Sequence, residues 1–95
     1  SAPRGTNDRE EISLVKVAVD ISLYPLDADF IPPIKNVIDR LNMHEELEVW
    51  TNAMSTQLIG EFDDVMNALK EELGTTFELL PKAVFVIKMF NNPGK

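Results

Sequence analysis

Residues 51–61 read "TNAMSTQLIGE", a run rich in hydroxyl, amide and carboxyl groups with only Leu58 and Ile59 as bulky aliphatics. A bare β scaffold carries more Val and Ile at such positions. Asn52, Thr56 and Glu61 can donate or accept hydrogen bonds to a polar ligand, and Met54 adds an adaptable apolar surface. A second polar set, Asp20, Ser22 and Tyr24, alternates through "DISLY", and Trp50 stands just before the first run. These residue types suit recognition. A general base needs an orienting partner, and none is evident beside His44, the single histidine, which reads as a surface turn. The acidic pairs Glu45–Glu46, Asp63–Asp64 and Glu71–Glu72 read as solvated faces, without metal-ligand spacing. No catalytic residue, metal site or cofactor is expected.

The elements that must position these residues follow from periodicity. Val15, Val17, Val19, Ile21 and Leu23 alternate with Lys16, Ala18, Asp20, Ser22 and Tyr24, the period of a strand with one core face, and Pro25 ends it. Ile31, Ile34, Val37, Ile38 and Leu41 recur at helical spacing, with Pro32 and Pro33 in the first turn and Asp27 and Asp29 near the positive end of the dipole. The helix should end near Asn42. Residues 46–53 and 56–60 read as two strands joined by a tight connection at Met54 and Ser55. Phe62, Val65, Met66, Leu69 and Leu73 form a second helical stripe, with Gly74 as its expected stop. Glu61 stands where it can cap that helix. Residues 82–90 form a last strand. The order βαββαβ predicts an α+β, ferredoxin-like domain: a four-stranded antiparallel sheet with two helices on one face, and the first and third strands central. Residues 1–12 read as a flexible N-terminal arm, 13–91 as the single domain and 92–95 as a tail.

The face without helices should then carry Asp20, Ser22, Tyr24, Trp50 and Asn52, with Gln57, Ile59 and Glu61 from the third strand. The last strand is apolar on both sides, the pattern of a strand covered on both faces. A second copy of the sheet is the economical cover, so the chain is expected to form a homodimer or homotetramer through sheet faces or edges. Net charge is −7, which repels phosphate backbones and argues against nucleic acid as a partner. No apolar run approaches the roughly 20 residues of a membrane span. Cysteine is absent, as a reducing cytosol allows, and no secretory signal is visible. A cytoplasmic protein is expected.

"ISLYPL" followed by "MSTQLIGEFDDVMNALKE" resembles the YkoF-like thiamin/hydroxymethylpyrimidine-binding family. Ser22, Tyr24 and Pro25 match one of its motifs, and Met54, Thr56, Gly60 and Glu61 the other. Many single-domain members have Gly and Glu where this chain has Ser55 and Ile59. The resemblance implies a βαββαβ fold paired sheet to sheet, and thiamin or its pyrimidine half as ligand. Asp20, Ser22, Tyr24, Trp50, Asn52, Met54, Thr56 and Glu61 would then form a pocket on the sheet face, at or near an oligomer interface.

Three other classes share the topology. An acylphosphatase needs an early Gly-rich phosphate loop with an Arg, and the only such segment, "PRGTN", precedes the fold. An RNA-recognition motif needs aromatic and basic residues on its third strand, which "TQLIGEF" does not supply on its exposed face. An ACT-like regulatory or oligomerisation module is the alternative to a non-catalytic thiamin-binding protein.

Overall fold

The computed structural model describes residues 15–26 and 31–94. Its elements are β1 (Lys16–Pro25), α1 (Ile31–Leu41), β2 (Glu48–Thr51), β3 (Thr56–Glu61), α2 (Phe62–Leu79) and β4 (Ala83–Asn91). The strands form one four-stranded sheet in the order β2-β3-β1-β4, with antiparallel pairing throughout. This is the expected α+β, ferredoxin-like arrangement, with β1 and β3 central. The proposed N-terminal arm, Asp27 and Asp29 lie outside the described residues.

Alternation makes the two sheet faces unequal. Val17, Val19 and Ile21 of β1 and Leu58 of β3 are buried beneath the helices, where they meet Val37 and Leu41 of α1 and Val65, Ala68 and Leu69 of α2. Gly60 belongs to the same row. A Cβ there would come within 2.7 Å of Leu47 Cδ2, so the absent side chain lets Leu47 close the core at this end.

Three boundaries differ from expectation. β2 is confined to Glu48–Thr51, because Leu47 turns into the core ahead of it and Asn52 begins a tight turn. Gly74 does not stop α2, which continues to Leu79. Thr76 extends the buried stripe, and Phe77 packs edge-on against Phe85 with ring centroids 5.6 Å apart. That tertiary contact outweighs the weak helix preference of one glycine. The end comes at Leu80, whose N–H donates to Thr76 O, directly before Pro81.

The face without helices is open in the single chain. Register aligns Lys88, Asp20, Gln57 and Trp50 in one row, and Phe90, Ala18, Ile59 and Glu48 in the next. Val84, Val86, Phe90 and Trp50 are exposed there. β4 is an edge strand, and Ile87 and Met89 on its other side are also exposed.

Candidate ligand pocket

A cavity of about 450 Å³ lies on the helix side of the sheet, between the C-terminal end of β1, α1 and the β2–β3 turn. Ile34, Val37, Ile38 and Leu41 of α1 form one wall, and Ile21, Leu23 and Phe85 form the floor. α1 presents these residues because they share one stripe at helical spacing. The polar residues of the lining are Ser22 and Tyr24 of β1, whose parity is that of Asp20 and the open face, and Thr51, Asn52, Ser55 and Thr56 of the hairpin. Leu26, Met54 and Tyr24 are exposed and form the rim.

The turn is built by Asn52. Its Oδ1 accepts the backbone N–H groups of Met54 at 2.7 Å and Ser55 at 3.0 Å, while its own N–H donates to Ser55 O at 3.0 Å. This is an Asx turn, in which the side chain replaces a backbone acceptor. Asn52 therefore offers a ligand only its amide NH2. Thr51 and Thr56, directly opposed in the register, bring their Oγ1 atoms to 3.1 Å. Ser22 Oγ has only a long contact, 3.5 Å, to Met54 O. Its hydroxyl is thus only weakly committed.

The structure divides the residues singled out in the sequence. Ser22, Tyr24, Asn52, Met54 and Thr56 line this cavity; Asp20, Trp50 and Glu61 do not. The cavity lies at the end of the sheet and reaches its helix side, whereas the slot expected from the sequence was on the open face. The pleat turns Thr56, which has the parity of Leu58 and opposes Ile21, toward the helices, while Ser22 and Tyr24 keep the parity of Asp20. Asp20 is on the open face, with Oδ2 3.6 Å from Lys88 Nζ and Oδ1 buried without a hydrogen-bond partner. Trp50 is also there, its Nε1–H donating to Glu48 Oε2 at 2.9 Å. Glu61 is the N-cap of α2 by position, but its side chain makes no capping hydrogen bond. Sequence reasoning missed the α1 wall, although its spacing was visible, because the same stripe reads equally as core.

His44 and Glu72 also depart from the reading as turn and solvated face. Glu72 is buried on the α2 stripe. Arg40 Nε donates to its Oε1 at 2.7 Å, and His44 Nε2 lies 2.7 Å from its Oε2. Arg40 Nη2 donates to Glu72 O and to Thr76 Oγ1. The network clamps the end of α1 and the following turn to α2. The hydrogen bond to Glu72 holds the His44 pKa above its ordinary value, against the opposing effect of burial. Burial pushes Glu72 upward, but its hydrogen bonds to His44 and Arg40 and their charges bring it below the usual range. Donor atoms of His44, Glu71 and Glu72 lie within 4.8 Å of one another. Arg40 and His44 already engage both Glu72 oxygens, so the grouping acts as a structural clamp.

The fold is that of a ferredoxin-like domain, with a cavity whose lining, among the described residues, carries no charged side chain. The sequence pattern of the YKOF-related family matches residues 16–85, and the chain belongs to that family. Among solved structures, a hypothetical protein of Methanocaldococcus jannascii is 30% identical over 84% of each chain, with a TM-score of 0.72. A Streptococcus pneumoniae protein is 25% identical, covering 84% of this chain and 88% of its own, with a TM-score of 0.65. A proposed thiamine biosynthesis/salvage protein of Thermotoga maritima shares the fold at 23% identity and a TM-score of 0.64, over 83% of this chain and 86% of its own. No curated protein sequence matches the chain. Among the described residues, no helix is long and apolar enough to cross a membrane.

Proposed function

We propose that the chain is a non-catalytic binding protein for thiamin or its hydroxymethylpyrimidine moiety. The carrying observation is the cavity itself: an apolar floor and wall facing a row of hydroxyl and amide groups. An aminopyrimidine is flat and apolar on its faces, with donors and acceptors on its edge. The α1 stripe and Phe85 suit the faces; Ser22, Thr56 and the Asn52 amide suit the edge. The salvage role suggested by the name of the Thermotoga relative agrees with this chemistry. Asp20, Trp50 and Glu61 have no part in the pocket and drop out of the ligand set.

The open sheet face supports assembly as a homodimer or homotetramer, because exposed Val84, Val86, Phe90 and Trp50 are left without cover. The cysteine-free chain suits the cytoplasm. The test is calorimetric titration of thiamin and of hydroxymethylpyrimidine into the wild type and into Ser22→Ala. Saturable binding by the wild type, weakened about tenfold or more in the variant through a lost edge hydrogen bond, is the expected result. Absence of saturation with both ligands would refute the assignment, and binding of free amino acids in their place would favour the ACT-like alternative.

A further inference from the structure

The polar wall of the cavity is hydroxyl and amide, and the lining has a second property: among the described residues it contains no Lys, Arg, His, Asp or Glu. We infer that the pocket is selective for the unphosphorylated ligand and discriminates against its phosphate esters. This deepens the thiamin reading and rests on it.

The argument begins with what a phosphate requires. A bound phosphate is ordinarily met by Arg or Lys, or by a row of backbone N–H groups at a helix N-terminus or nest. Sequence alone excludes most cationic candidates, since no Lys or Arg occurs from Val17 to Ile34 or from Leu41 to Leu69. Three cations outside those runs are committed or turned elsewhere. Lys35 pairs with Asp39 at 3.0 Å on the exposed side of α1. Arg40 is held by Glu72 and Thr76. Lys88 lies on the open face beside Asp20.

Two turn N–H groups near the rim, those of Met54 and Ser55, are already taken by Asn52 Oδ1. Among the described residues, Lys82 comes near the mouth, where its carbonyl accepts the Leu26 N–H at 3.2 Å; its side chain is not part of the lining. Around the mouth lies a chain of net charge −7, which repels a dianion and favours a cation. Burying a charge in an apolar, unpaired setting is costly, whereas a neutral pyrimidine with hydrogen-bonding edges is not penalised in that way. The thiazolium cation of thiamin is acceptable at the rim for the same electrostatic reason.

The inference gives the protein a place among reaction classes. Hydrolysis of a phosphate ester would supply its ligand, and phosphoryl transfer to the ligand's hydroxyl would consume it.

The experiment is titration calorimetry of the full chain with hydroxymethylpyrimidine, thiamin, thiamin monophosphate and thiamin diphosphate, at low and at high salt. Thiamin and the free pyrimidine should bind, and each phosphate should weaken binding by about tenfold at low salt, with the penalty shrinking as salt screens the repulsion. Lys82→Ala should leave thiamin affinity unchanged and should not abolish any residual binding of the esters. Esters that bind as tightly as thiamin would overturn the inference while leaving the pocket assignment standing. Esters held tightly by the wild type and lost in Lys82→Ala would overturn it too, and would identify Lys82 as a phosphate contact. If neither thiamin nor the free pyrimidine saturates the protein, the underlying assignment fails and the selectivity falls with it.

Discussion

Ser22 and Thr56 both bring a hydroxyl-bearing residue to the cavity lining, yet removing each should read out differently. Thr56 is buried and its Oγ1 is 3.1 Å from that of Thr51. Thr56→Val therefore strips Thr51 of its partner, and it should lower stability in urea by about 1–2 kcal/mol as well as weaken ligand binding. Ser22 Oγ has only its 3.5 Å contact to Met54 O. Ser22→Ala should leave the urea midpoint nearly unchanged and appear in affinity alone. Trp50 supplies the contrast. Its side chain is on the open face, bonded to Glu48 and outside the cavity, so Trp50→Ala should bind thiamin with wild-type affinity when both are measured by calorimetry. A lost affinity there would return the ligand to the open sheet face.

At the scale of elements, α2 offers two tests. Gly74 is in the helix interior, exposed, with nothing within 4 Å of an added Cβ. Gly74→Ala should therefore stabilise the protein by about 0.5–1 kcal/mol and raise Tm, because alanine loses less backbone entropy in a helix. The Arg40–Glu72–His44 clamp works in the opposite sense. Glu72→Ala leaves Arg40 half-buried without its carboxylate, a loss of roughly 3 kcal/mol in a urea titration. The clamp also has a pH window. The folded His44 pKa is raised from 6.5, so its contribution is fully present below pH 6.5 and is lost as pH rises through the folded value. The folded Glu72 pKa is lowered from 4.5, so its contribution is present above pH 4.5 and is lost as pH falls through the folded value. Both operate fully between pH 4.5 and 6.5. Stability of the wild type against pH should exceed that of His44→Gln most in this window, and the difference should fade on the alkaline side.

For the whole molecule, the open face leaves apolar side chains uncovered in the single chain. Val86 and Phe90 are 47% and 61% exposed on a sheet whose neighbouring rows include Asp20 with an unpartnered, buried Oδ1. Apolar area left in water and a carboxylate oxygen left without a donor both favour a covering partner. Sedimentation at micromolar concentration should show a dimer or tetramer, and Phe90→Asp combined with Val86→Lys should shift it to monomer with the helical spectrum retained. A wild-type monomer would remove the basis for assembly. It would leave the pocket untouched, because the cavity is built within one chain.

The amino-acid sequence by itself determined the element order, the antiparallel ferredoxin-like sheet and the placing of β1 and β3 at its centre. These follow from local periodicity, and local periodicity survives in any environment that buries one face. Ser22, Tyr24, Asn52, Met54 and Thr56 were likewise legible as a polar set out of place in a bare scaffold. Only the tertiary structure decided where these residues lie around the cavity. Thr56 follows the parity of Leu58, and α1 stands back from the sheet end far enough to leave a cavity. The helix extension past Gly74 required Phe85, which is distant in the chain. The clamp required Arg40 and Glu72, 32 residues apart, to meet across two helices. A buried carboxylate on a helical stripe looks from sequence like an exposed acid, because its burial depends on a partner that only folding brings into reach.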